Sequence, residues 1–101
     1  MNTIKFLRIA NTELLETFNW YEEQGLGLGY QFIDAFNKSI NLISTFPEIY
    51  NEIQFGIRRC IIKKFPYGIL YKFYEKKNEI LVIAIYSFKR EPNYWIDRIQ
   101  L

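Results

Sequence analysis

The sequence predicts an α+β domain of order β-α-α-β-β-β, with a helical hairpin packed on one face of a small, mostly antiparallel sheet. Two apolar stripes at helical spacing lie on either side of GLGLG (25–29). After Ile57 the hydrophobic period changes to two or to continuous apolar runs. The last of these, ILVIAIYSF (80–88), is apolar on both faces, as expected of a strand buried within a sheet.

The elements follow in order. TIKFLRI (3–9) alternates polar and apolar residues and reads as a strand with Ile4 and Phe6 inward. Asn11 or Thr12 is the expected cap of a helix running from about 12 to 24, with Glu13 and Glu16 suited to its positive end. Leu14, Phe18 and Tyr21 form its stripe, with Leu15 beside them. GLGLG turns the chain; it follows a helix rather than a strand, which argues against a nucleotide-binding loop. Phe32, Phe36, Ile40 and Ile43 place a second helix over 28–45, stopped by Pro47. Residues 48–56 read as a loop, 57–65 and 67–74 as strands separated by the Phe65-Pro66 corner, and 75–79 as a hairpin loop. A short helix or irregular tail follows Pro92.

Half of the 101 residues are apolar and 19% are aromatic, enough for a core without staples, so residues 1–101 read as a single domain. No apolar run is long enough to cross a membrane, and charges interrupt the N-terminus too early for a signal peptide. A cytoplasmic protein is expected. Cys60 is the one cysteine and reads as a small buried hydrophobe. The chain has no histidine, which removes the usual general acid/base and the commonest zinc ligand. No metal and no cofactor are expected, and any catalysis falls to Lys, Arg, Tyr or carboxylates.

The net charge of +2 conceals a split: residues 1–52 carry three cations and seven acids, residues 53–101 ten cations and four acids. Solvated strand edges account for such a split, and so does contact with RNA, DNA or an acidic protein. Arg58 and Arg59 point to opposite strand faces, so one of them pairs internally, with Glu22 or Glu23 as the expected partner. Trp20 and Tyr21 read as helix-to-sheet packing. The uncovered sheet face is expected to be lined by Tyr67, Tyr71, Tyr74, Tyr86 and the tail aromatics. In KREPNYW (89–95), Trp95 reads as the anchor of the tail, with Lys89 and Arg90 forming the rim of a site.

NWYEEQGLGLGYQFIDAF, FPEIY, IRRCIIKKFPYGILYKF and AIYSFKREPNYW, in that order, resemble the RelE/ParE superfamily of type II toxin–antitoxin toxins, often labelled plasmid stabilisation proteins. The resemblance spans about Thr12 to Arg98 and implies the same β-α-α-β-β-β fold. It also implies a cognate antitoxin that neutralises the chain by masking basic residues or displacing an element. Two activities are implied: mRNA cleavage at the ribosome in the RelE-like branch, and inhibition of DNA gyrase by protein contact in the ParE-like branch. Carried over residue by residue, the catalytic candidates are Arg59, Arg90 and Tyr94. The candidates for binding a partner or target are Arg59, Lys63, Tyr67, Tyr71, Lys89, Arg90 and Trp95. Where the nuclease branch commonly has an arginine after the tyrosine matching Tyr67, this chain has Gly68. The second lysine of that branch's basic strand falls near Ile61, and a histidine of many members is replaced by Ser87. These departures shift the expectation to a ParE-like gyrase inhibitor. A RelE-like endonuclease and an inactive remnant that only binds antitoxin are the alternatives.

Overall fold

Five strands form one sheet and two helices cover one of its faces in the computed structural model, which describes residues 2–99. The strands are β1 (Thr3–Phe6), β2 (Glu52–Gln54), β3 (Ile57–Ile61), β4 (Tyr67–Tyr74) and β5 (Glu79–Ser87), and the helices are α1 (Arg8–Gln24) and α2 (Leu28–Thr45). The sheet order is β1-β5-β4-β3-β2, with only the β1–β5 pair parallel. The predicted α+β class and the helical hairpin on one face are present. One strand is added: three residues of the expected 48–56 loop pair with β3 through the Phe55-Gly56 turn. Both turn residues have positive φ (55° and 75°), the geometry a two-residue hairpin requires, but phenylalanine is not a residue that signals it.

α1 starts at Arg8 rather than near residue 12, and neither Asn11 nor Thr12 caps it. Its cap is Leu7, in extended conformation with no side-chain bond. The Leu7 N–H donates to Val82 O at 3.0 Å, and the Asn11 N–H returns to Leu7 O at 3.1 Å. The end of the strand ladder therefore fixes the helix start. Glu13 then sits beyond the first turn, not at the positive end.

The α1–α2 turn explains GLGLG. The Glu22 carboxylate accepts from the Gly29 N–H at 2.7 Å and the Gly27 N–H at 3.3 Å, so the first helix caps the second. Gly27 has φ 87°, and a Cβ on Gly29 would lie 2.7 Å from Phe18 O. These glycines permit a reversal and a close helix–helix approach.

β3 stops at Ile61, short of the expected 65, because the chain turns through Lys64 at φ 73°. β5 lies between β1 and β4 with Ile80, Val82, Ile83, Ala84 and Ile85 all buried. A bulge makes this possible. Leu70 pairs with Ala84 and Tyr71 with Val82, leaving Ile83 as the extra residue. Ile80, Val82 and Ile85 therefore join Phe32, Phe36 and Ile43 under the helices, while Ile83 and Ala84 join Leu70, Ile57 and Trp95 on the opposite face.

That opposite face differs from expectation. Tyr67 and Tyr71 point to the helix side, because the alternation of β4 places them with Ile69 and Phe73. Tyr71 is fully buried and donates to Pro47 O at 2.8 Å. Tyr86 and the tail do cover the back face as expected, and Trp95 of the tail is 4% exposed. Tyr21 packs against Phe32, Phe65 and Tyr67, whereas Trp20 touches it edge-on and is half exposed.

Candidate functional site

The tail that follows β5 closes over the back of the sheet and leaves a concavity of about 230 Å³. Arg59 enters it from β3, Tyr86 from β5, and Arg90, Glu91, Tyr94 and Trp95 from the tail. The Gln54 amide donates to Asn93 Oδ1 at 2.7 Å and joins β2 to the tail at the rim. The fold thus brings Arg59 and Arg90, 31 positions apart in sequence, to one site. A second cleft of about 260 Å³ shares Tyr86 and Arg90 and is bounded by Glu16, Trp20 and Tyr67, so Arg90 stands between the two.

Behind the concavity lies a buried charged cluster. The Glu13 carboxylate accepts from Arg98 Nη1 at 2.7 Å and Nη2 at 2.9 Å, from the Tyr94 hydroxyl at 2.8 Å and from the Ile85 N–H at 3.1 Å. Arg98 Nη1 also donates to Ile83 O at 3.1 Å. β1 ends at Phe6, opposite Val82. Beyond that point Glu13 and Arg98 take the place of a neighbouring strand for the backbone of β5. The paired side chains are each 11% exposed. Burial, reinforced by the bond to Glu13, pushes the Tyr94 hydroxyl far above the ordinary tyrosine range. The same carboxylate raises Arg98.

Two guanidiniums lie within cation–π reach of the Tyr94 ring, with Arg90 Cζ 3.9 Å and Arg98 Cζ 4.9 Å from its centroid. Gly68 pairs with Tyr86 across β4 and β5, and a Cβ at Gly68 would lie 2.7 Å from Tyr86 Cε1. The tyrosine ring occupies the space a side chain at 68 would need.

The remaining candidates are scattered. Lys63 lines a different groove of about 690 Å³ between α2 and β3, together with Lys38, Lys64, Tyr50 and Ile61. Lys89 is exposed and its N–H donates to Ser87 Oγ at 3.2 Å. Tyr67 contributes to the second cleft from beneath the helices. Tyr71 is in the core and unavailable to a partner, and Trp95 serves as the expected anchor. Arg58 does pair internally, but with Glu48, Glu52 and Tyr50 O (2.6 Å) rather than Glu22 or Glu23, because the β2–β3 register sets Glu52 opposite it. Four of the seven acids of the first half, Glu13, Glu22, Glu48 and Glu52, thus have partners within the chain. Cys60 is buried, and burial raises its thiol. No cluster of metal-ligating side chains occurs among the described residues.

Glu13 and Arg98 were missed as site-building residues in the sequence, whereas Tyr86 was expected on this face of the sheet. A signal existed for Glu13, which lies three residues after the buried Ala10 and four before the buried Thr17. A carboxylate on that stripe requires a buried partner.

Comparison with known proteins agrees with this architecture. No curated protein sequence matches the chain. Among solved structures, it is similar to the chromosomal ParDE toxin–antitoxin system of P. aeruginosa, with a TM-score of 0.73 and 14% identity over 86% of this chain and 96% of that one. It is also similar to a mutant of the E. coli toxin RelE in the free state, with a TM-score of 0.73 and 15% identity over 98% of both chains. The intact E. coli RelBE toxin–antitoxin complex gives a TM-score of 0.66 and 15% identity over 89% of this chain and 100% of that one. The sequence model of the ParE toxin of the type II toxin–antitoxin system parDE matches residues 4–92. The match takes in both helices, all of the sheet but Thr3 and the tail as far as Pro92, and the chain belongs to the ParE toxin family of type II toxin–antitoxin systems.

Proposed function

We propose that this toxin acts as a single domain by protein contact, inhibiting DNA gyrase in the ParE-like manner, and is held inactive by a cognate antitoxin. The observation that carries this reading is the state of Tyr94. RNA cleavage through a 2′-hydroxyl needs a base, an acid for the leaving oxygen, and cations for the developing charge. Arg59 and Arg90 supply cations, but a guanidinium does not give up its proton in a protein. Tyr94 already donates its proton to Glu13, and its pKa is moved away from neutrality. The chain has no histidine, and the slot beside Gly68 is filled by Tyr86. The concavity therefore suits recognition of an acidic surface better than proton transfer. Arg59, Arg90 and Lys89 are the proposed contacts with the target.

The α2–β3 groove, with apolar Leu28, Leu42 and Ile61 beside Lys38, Lys63 and Lys64, is the proposed seat of an acidic, amphipathic antitoxin segment. A gyrase supercoiling assay and a reconstituted translation reaction with the purified chain test the target. Supercoiling should fall while mRNA stays intact. Cut mRNA with gyrase unaffected would overturn the reading in favour of the RelE-like one. Inactivity in both, with folded protein that still binds antitoxin, would leave the remnant.

A further inference from the structure

We propose that Glu13 is a positioning residue for Arg90, acting through the Tyr94 ring. Arg90 is exposed, and its guanidinium makes no hydrogen bond or ion pair among the described residues. What holds it is the Tyr94 ring, 3.9 Å away. A guanidinium on a flexible stem loses that freedom when it binds. A fixed ring face limits the loss only if the ring itself cannot turn. Trp95 beside it is buried, and the Tyr94 hydroxyl is tied to Glu13 at 2.8 Å. Glu13 in turn cannot move freely, because Arg98 grips it with two N–H groups and the Ile85 N–H donates to it. A carboxylate accepts about four such bonds, and all four are made here. The run from Arg98 through Glu13 and Tyr94 to Arg90 is thus a continuous support, anchored on the backbone of β5. The negative charge of Glu13 also offsets the repulsion between the two guanidiniums near the ring. An acidic side chain of the target then meets an oriented cation.

This inference rests on the gyrase-contact reading for its effect on potency, but its geometric part is measurable without any target. The experiment compares wild type, Tyr94→Phe and Glu13→Gln by the NMR ring-current shift of the Arg90 Nε–H, alongside the concentration that halves gyrase supercoiling. Tyr94→Phe keeps the ring and removes only the link. The Arg90 shift should shrink by half or more in both variants, and inhibition should weaken roughly two- to tenfold, the factor expected for ordering one long side chain on binding. If Glu13→Gln does not fold, Tyr94→Phe decides. An unchanged Arg90 shift in folded Tyr94→Phe overturns the proposal, whatever happens to potency. A reduced shift in a protein whose wild type leaves gyrase untouched supports the positioning role and rejects the gyrase target.

Discussion

The Glu13 carboxylate and the Arg98 guanidinium meet through two bonds of 2.7 and 2.9 Å, joining the first helix to the last turn across 85 positions of sequence. Both are almost fully buried, so each is costly when left alone. Glu13→Ala should lower unfolding free energy by about 3–5 kcal/mol, the cost of leaving a buried charge unpaired. Glu13→Leu combined with Arg98→Met should recover a large part of that loss. Urea unfolding of the single and double variants checks both statements.

Arg58 and Arg59 are adjacent but do different work. Arg58 donates to Tyr50 O and pairs with Glu48 and Glu52, whereas Arg59 is exposed at the concavity. Arg58→Ala should cost about 1–3 kcal/mol, since it removes a charge-assisted bond and strands a carbonyl. Arg59→Ala and Arg90→Ala should stay within about 0.5 kcal/mol of wild type, as surface changes do, while weakening growth arrest on induced expression. Thermal melts beside growth curves separate the two classes.

Gly68 has no room for a side chain. Gly68→Ala places a methyl group 2.7 Å from the Tyr86 ring and should destabilise by about 1–3 kcal/mol, typical of overpacking. Tyr86→Leu in the same chain should relieve most of this, giving a clear coupling in a double-mutant cycle.

Alkali should unfold the protein through its tyrosines. Burial raises Tyr50 and Tyr71 from 10.0 to about 12. The folded state therefore holds these protons more tightly than the unfolded chain. The stabilisation is fully present below about pH 10 and is lost as pH rises through about 12. Tyr71→Phe, which removes the bond to Pro47 O, should flatten this alkaline decline while lowering stability at neutral pH by about 1 kcal/mol. Denaturant midpoints followed from neutral pH to strong alkali test the sign.

The long, periodic elements were legible in the sequence. α2 and β4 occupy the predicted 28–45 and 67–74 because strong stripes and a flanking proline define them. The start of α1 was not legible, since a backbone bond to Val82, distant in sequence, sets it. The three-residue β2 is too short to carry a period. Tyr71 was misplaced for lack of knowledge of which face of β4 the helices cover. At the site, the shared position of Arg59 and Arg90 followed from family resemblance. The Glu13 cluster required the register of β5, which a bulge at Ile83 shifts by one residue.

The parallel pairing of β1 with β5 bears on synthesis. β1 is made first and its only neighbour in the sheet is made late, as Thr3 lies opposite Glu79. Until β5 leaves the ribosome, the helical hairpin can form locally but the sheet cannot close around it. Arg90 emerges only after β5, so a partly translated chain has neither the finished sheet nor its cationic rim. The concavity shared by Arg59 and Arg90 is therefore among the last features of the molecule to be completed during synthesis.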